Sequence, residues 1–124
     1  METVSPNIFV KDIKKTIDFY KFLGFEVIAT VPEEGELIFT MMKCGSVTFL
    51  FQTFASLGDD LPQISRQDGG SIMLYIQTKG IRDLYNRIKG EVRLIKELEK
   101  TFYGATEFTI LDINNYVITF AEDE

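Results

Sequence analysis

The chain has 124 residues, 45% of them apolar and 13% aromatic, with eleven Phe, five Tyr and no Trp. One domain of this size buries a core without staples, and the single Cys44 leaves no disulfide to form within the chain. A formal charge of −6 argues against nucleic acid, whose phosphates need Lys and Arg. The absence of His removes Ser–His and Cys–His nucleophile pairs, imidazole acid–base catalysis and His-ligated metals.

Residues 1–6 lack the basic and apolar regions of a signal peptide, and no apolar run reaches membrane-spanning length. The expectation is a cytoplasmic protein with no membrane partner. A strand follows over 4–10, roughened by Pro6. Asp12 suits the N-cap of a helix over 13–23, where Ile13, Ile17 and Tyr20 share one face and Gly24 ends the last turn. A strand over 25–31, a turn at Pro32-Glu-Glu-Gly35 and a hairpin of 36–42 with 46–52 complete the first set.

Residues 54–70 read as a polar connector, with Asp59-Asp60, Pro62 and Gly69-Gly70. A strand over 71–77 comes next, then a helix with Ile81, Leu84, Tyr85 and Ile88 on one stripe, closed by Gly90. Strands over 91–96, 106–111 and 116–121 finish the chain. The last two are joined by an Asp112-Ile113-Asn114-Asn115 turn, whose short polar side chains bond nearby backbone groups. Asp112 is read as turn chemistry, and Glu97, Glu99 and Glu122-Asp123-Glu124 as solvated charge.

The order is therefore βαβββ twice: 1–53, the connector 54–70, and 71–124. Asp18-Phe19-Tyr20 with Leu23 matches Asp83-Leu84-Tyr85 with Ile88, and Gly45-Ser-Val-Thr-Phe matches Asn115-Tyr-Val-Ile-Thr. The fold class that follows is α+β, with two tandem βαβββ units forming curved mixed sheets around a cavity and helices outside.

Asp12…Phe19-Tyr20…Leu23-Gly24-Phe25 and Tyr103-Gly104…Glu107-Phe108…Asp112 to Phe120 resemble the vicinal oxygen chelate superfamily of glyoxalase I, bleomycin-resistance proteins and extradiol dioxygenases. The resemblance covers nearly the whole chain. It implies four inward side chains that hold a divalent metal in the enzymes. Carried over by motif, those positions fall on Ser5, Phe49, Ser71 and Thr119, with Ser5 paired to Ser71 and Phe49 to Thr119 by the repeat. Neutral hydroxyls and a phenyl ring are poor ligands for such an ion, so neither metal nor other cofactor is expected.

Alternation along the strands supplies an inward lining of Asn7, Phe9, Phe49, Phe51, Met73, Tyr75 and Thr119, with Val47, Val117 and Ala121. The opposite set, Leu50, Ile72, Leu74, Ile76, Ile118 and Phe120, is apolar, as a helix-covered face should be. Inward Phe and Met also serve as plain core, whereas an inward amide at Asn7 needs partners. Glu107, with no His or metal beside it, reads first as one half of a structural salt bridge. Its functional alternative, contact with a cationic ligand, keeps it among the ligand-binding candidates.

These residues suit an aromatic or amphipathic organic molecule held by stacking and a few hydrogen bonds. The resemblance to the metal-free bleomycin-resistance branch implies sequestration of an aromatic or cationic compound by a homodimer, with no catalytic residue. Two other readings stay open. One is a glyoxalase-like lyase or isomerase using Glu107, Asp112 and Tyr75; the other is an interaction domain whose cavity is filled by its own side chains.

Overall fold

Helix α1 (Ile13–Leu23) organises the first repeat in the computed structural model, which describes residues 1–124. Asp12 is extended and its carboxylate accepts the Lys15 amide at 2.9 Å, satisfying one of the amides that a helix start leaves unbonded. Gly24, at φ +115°, ends the helix and donates back to the Tyr20 and Lys21 carbonyls. Ile13, Thr16, Ile17, Tyr20 and Leu23 form the buried stripe. The Tyr20 ring is its centre, 4.8 Å from Phe51, 5.4 Å from Phe25 and 5.9 Å from Phe49, in the tilted and edge-on arrangements that aromatic quadrupoles favour.

The chain forms two units, Met1–Asp68 and Gly69–Glu124. In the first, β1 (Asn7–Val10), β2 (Glu26–Val31), β3 (Phe39–Cys44) and β4 (Val47–Thr53) make a sheet of order β1-β4-β3-β2, followed by one short helical turn, α2 (Phe54–Leu57). In the second, β5 (Met73–Gln77), β6 (Arg93–Lys100), β7 (Ala105–Leu111) and β8 (Val117–Asp123) make a sheet of order β5-β8-β7-β6, with α3 (Ile81–Ile88) against it. The β1–β4 and β5–β8 pairs are parallel and the others antiparallel. The same topology is thus built twice, and the fold is α+β with tandem βαβββ units.

Several boundaries differ from those expected. β1 begins at Asn7, because Pro6 has no N–H to give and joins only through its carbonyl, which accepts from Leu50 at 3.0 Å. β6 runs on to Lys100 and takes Glu97 and Glu99 into the sheet across two register shifts. The connector is held by Arg66, whose guanidinium donates to the carbonyls of Gly58, Asp60, Leu61 and Ile64 at 2.6–2.9 Å.

The largest correction concerns β4. Asn7 pairs with Leu50 and Phe9 with Gln52, so Phe49 and Phe51 lie beside Ile8 and Val10 beneath α1, while Leu50 points the other way. The expected facing of this strand was one residue out. Burying a Phe contributes about 1.5–3 kcal/mol over exposing it, and the Tyr20 face of α1 offers room for both rings. Ile72, expected under a helix, precedes β5 and is 55% exposed.

In the second unit Ile81 and Ile88 of α3 are fully buried, and Tyr85 packs edge-on against Phe108. Gly80 brings no capping side chain to α3; instead the Glu122 carboxylate of β8 accepts the Gly80 and Ile81 amides at 3.3 and 3.0 Å. A carboxylate there also meets the positive end of the helix dipole. Glu124 bonds Arg82 and Thr106, which holds its carboxyl below the usual range. Glu122 and Glu124 thus have structural partners, although Glu124 remains exposed.

The β7–β8 turn forms as its residues dictate. Asp112 is buried and its Oδ1 accepts the Asn114 and Tyr116 amides, each at 2.8 Å, while Asn115 takes φ +66°. No helix is long and apolar enough to cross a membrane.

Candidate functional site

The face of the second sheet opposite α3 carries the chemistry. Leu74, Ile76, Phe108, Ile110, Ile118 and Phe120 turn toward α3, so period-two alternation sends Met73, Tyr75, Glu107, Thr109 and Thr119 to the other side. Register aligns them: Tyr75 stands beside Thr119, Thr119 beside Thr109, and Glu107 beside Ala121. A hollow of about 650 Å³ opens over this face. Its walls include Tyr75, Phe102, Tyr103, Ile95 and Val117, with Lys96, Glu99 and Lys100 from β6.

Glu107 is the polar centre. The Tyr75 hydroxyl donates to its Oε2 at 2.5 Å and the Tyr103 hydroxyl to the same oxygen at 2.7 Å. Ala121, the neighbour of Glu107 on β8, has too little bulk to separate Tyr75 from the carboxylate. The Glu107 hydrogen bond, with some desolvation and the negative charge nearby, pushes the Tyr75 phenol up to about 12. Tyr103 is raised by the same hydrogen bond first, by desolvation next, and further by the charges of Glu107 and Glu99. Both phenols therefore stay protonated donors at neutral pH.

The floor is a short hydroxyl chain. Thr109 and Thr119 oxygens lie 2.8 Å apart, and Thr119 donates to the Met73 sulfur at 3.1 Å. A hydroxyl has one proton, so with Thr119 committed to sulfur the Thr109 hydroxyl is the donor to Thr119.

Four of the eight candidates, Met73, Tyr75, Glu107 and Thr119, thus meet at one hollow. Asn7 and Phe9 lie on the open face of the first sheet, where Asn7 is exposed and donates to Gln52 at 3.0 Å. Phe49 and Phe51 are core residues beneath α1 and line no open face. Glu107 makes no salt bridge, contrary to expectation; two phenols satisfy it instead. Tyr103, Phe102, Thr109 and Glu99 were not expected here. Alternation from Glu107 pointed to Thr109, and pairing of β7 with a longer β6 would have added Glu99.

The family model of the Glyoxalase/Bleomycin resistance protein/Dioxygenase superfamily matches residues 3–120. The chain belongs to this superfamily. Three solved structures share the superfamily fold seen here. A protein of unknown function from Agrobacterium tumefaciens is 25% identical with a TM-score of 0.81, over 100% of this chain and 95% of that one. TioX from a Micromonospora species is 12% identical with a TM-score of 0.80, over the whole of both chains. A bleomycin-binding protein complexed with bleomycin is 16% identical with a TM-score of 0.71, again over the whole of both. No curated protein matches the sequence.

The superfamily's metal-holding positions can now be fitted to the residues present. The parallel pairing sets Phe9 beside Gln52 as it sets Tyr75 beside Thr119, so the repeat partner of Thr119 is Gln52 and not Phe49. Ser5, Gln52, Ser71 and Thr119 supply no carboxylate or imidazole, and the Thr119 hydroxyl is already committed to Thr109 and Met73. No three Cys, Asp or Glu side chains gather where an ion would sit. These residues do not fit a divalent metal.

Proposed function

We propose that this protein binds a small aromatic or cationic organic compound without a metal and sequesters it, as a cytoplasmic homodimer. The observation that carries the reading is the hollow over the second sheet. Its size falls within the range of about 300–1,000 Å³ common for small-molecule sites, and aromatic walls stand around the Glu107 carboxylate. A bleomycin-binding protein uses the same fold for a large natural product. The absence of fitting metal donors favours holding over transforming.

The test is a thermal-shift screen of aromatic and cationic natural products, bleomycin among them, run with and without a chelator. A ligand at a hundred times its Kd stabilises the folded state by about 2.7 kcal/mol, which such a screen detects. At least one compound should raise the melting temperature equally under both conditions. A flat response to every compound, or a shift that the chelator abolishes, overturns the reading. Sedimentation velocity gives the oligomeric state, for which a mass near twice 14.2 kDa is expected.

A further inference from the structure

Glu107 accepts from two hydroxyls yet faces no cation. The ion pairs Lys11–Asp68, Lys14–Asp18 and Arg82–Glu124 do not involve this carboxylate. Both phenols reach Oε2, so Oε1 receives no donor from the protein. Lys96 and Lys100 border the hollow, but they stand across from Thr109 and Thr106; the side chain across from Glu107 is Glu99. Like charges set across a strand pair repel, and the cost is relieved by a positive group between or beside them.

The walls of the hollow include open aromatic rings. Tyr75 and Tyr103 are about half exposed, and Phe102 is fully exposed, edge-on to Tyr103 at 5.0 Å. The π face of an aromatic ring attracts a cation and stacks with an aromatic group. A ligand carboxylate or phosphate would instead meet Glu107 and Glu99. A neutral alcohol can donate to Oε1 too, but it leaves the charges of Glu107 and Glu99 unbalanced.

Resting on the binding reading above and narrowing it, we infer that the hollow takes an organic ammonium bearing an aromatic group. Its N–H donates to Glu107 Oε1, and its ring lies against Tyr103 and Phe102. Glu107 is the specificity-determining residue. Tyr75 and Tyr103 occupy Oε2 and leave Oε1 to the ligand.

Isothermal titration of the full chain at neutral pH with naphthylmethylamine, naphthylmethanol and naphthoate separates the possibilities. The amine should bind about tenfold or more tighter than the alcohol, and naphthoate should not bind. Glu107→Gln should bring the amine down to the alcohol's affinity. The Tyr75→Phe/Tyr103→Phe double variant, which keeps the carboxylate, should retain the preference for the amine. Equal binding of amine and alcohol, a preference that survives in Glu107→Gln, or one lost in the double variant overturns this inference, while the binding reading stands. If none of the three probes binds, this inference falls, and the binding reading is decided by the thermal-shift screen.

Discussion

Replacing Gly69 by alanine would put a methyl group where the backbone of the closing turn already lies. A Cβ built on Gly69 stands 2.4 Å from the Asn115 carbonyl oxygen, 3.1 Å from its carbon and 3.3 Å from Asn115 Cβ. The neighbour is backbone, so no flexible side chain can swing aside. Gly69 also has φ +76°, which costs a residue with a Cβ about 1–2 kcal/mol. Relief requires the turn to move, and it is pinned by the two amides that donate to Asp112 Oδ1. Losing one of these bonds adds about 1 kcal/mol, more if a buried group is left unpaired. The expected destabilisation of Gly69→Ala is about 3–4 kcal/mol. Gly80, in the same unit at φ +68° with nothing within 4 Å of a built Cβ, supplies the control, and Gly80→Ala should cost only the backbone part, about 1–2 kcal/mol. Denaturant midpoints at an unchanged m-value measure both. Equal losses in the two variants, or a Gly69→Ala loss under about 1 kcal/mol, would refute the close approach of Gly69 to the turn.

Two further expectations concern the Tyr–Glu cluster and the corrected strand facing. In an alkaline titration followed by phenolate absorbance, Glu107→Gln should bring the Tyr75 step down from about 12 toward the ordinary 10, and Tyr75→Phe should remove that step. The sign for stability follows: the raised Tyr75 phenol means stability present below pH about 10 and lost as pH rises through about 12, and the raised Tyr103 phenol acts in the same direction, so alkaline unfolding should be steeper in the native chain than in Glu107→Gln. On β4, Phe51→Ala should cost about 3–5 kcal/mol and Leu50→Ala under about 1.5 in thermal or chemical unfolding, an order that the opposite facing would invert.

Much of the fold was legible because local signals and the repeat agreed. Asp12, Gly24 and the Asp112–Asn115 turn do what their side chains and backbone freedom dictate. The open face of the second sheet was also readable, since apolar Leu74, Ile118 and Phe120 alternate with Met73, Tyr75 and Thr119. β4 was not, because its apolar set Val47, Phe49 and Phe51 suits an aromatic cavity as well as a helix-covered face, and alternation does not say which. Only the pairing of Asn7 with Leu50 decides it. The Glu107 cluster was half legible. Its Tyr75 partner followed from alternation, but Tyr103 sits in the β6–β7 turn, where no periodicity says which way a side chain leans.

The shared carboxylate oxygen also gives the protein an optical property. A phenol that hydrogen-bonds a carboxylate emits weakly, because the excited ring passes its proton to that acceptor. The chain has five tyrosines and no tryptophan to outshine them. Two of the five donate to Glu107, so their emission is quenched in the resting protein. Whatever draws that carboxylate away from the phenols should brighten the protein, and the state of the Tyr–Glu cluster can be read without a label.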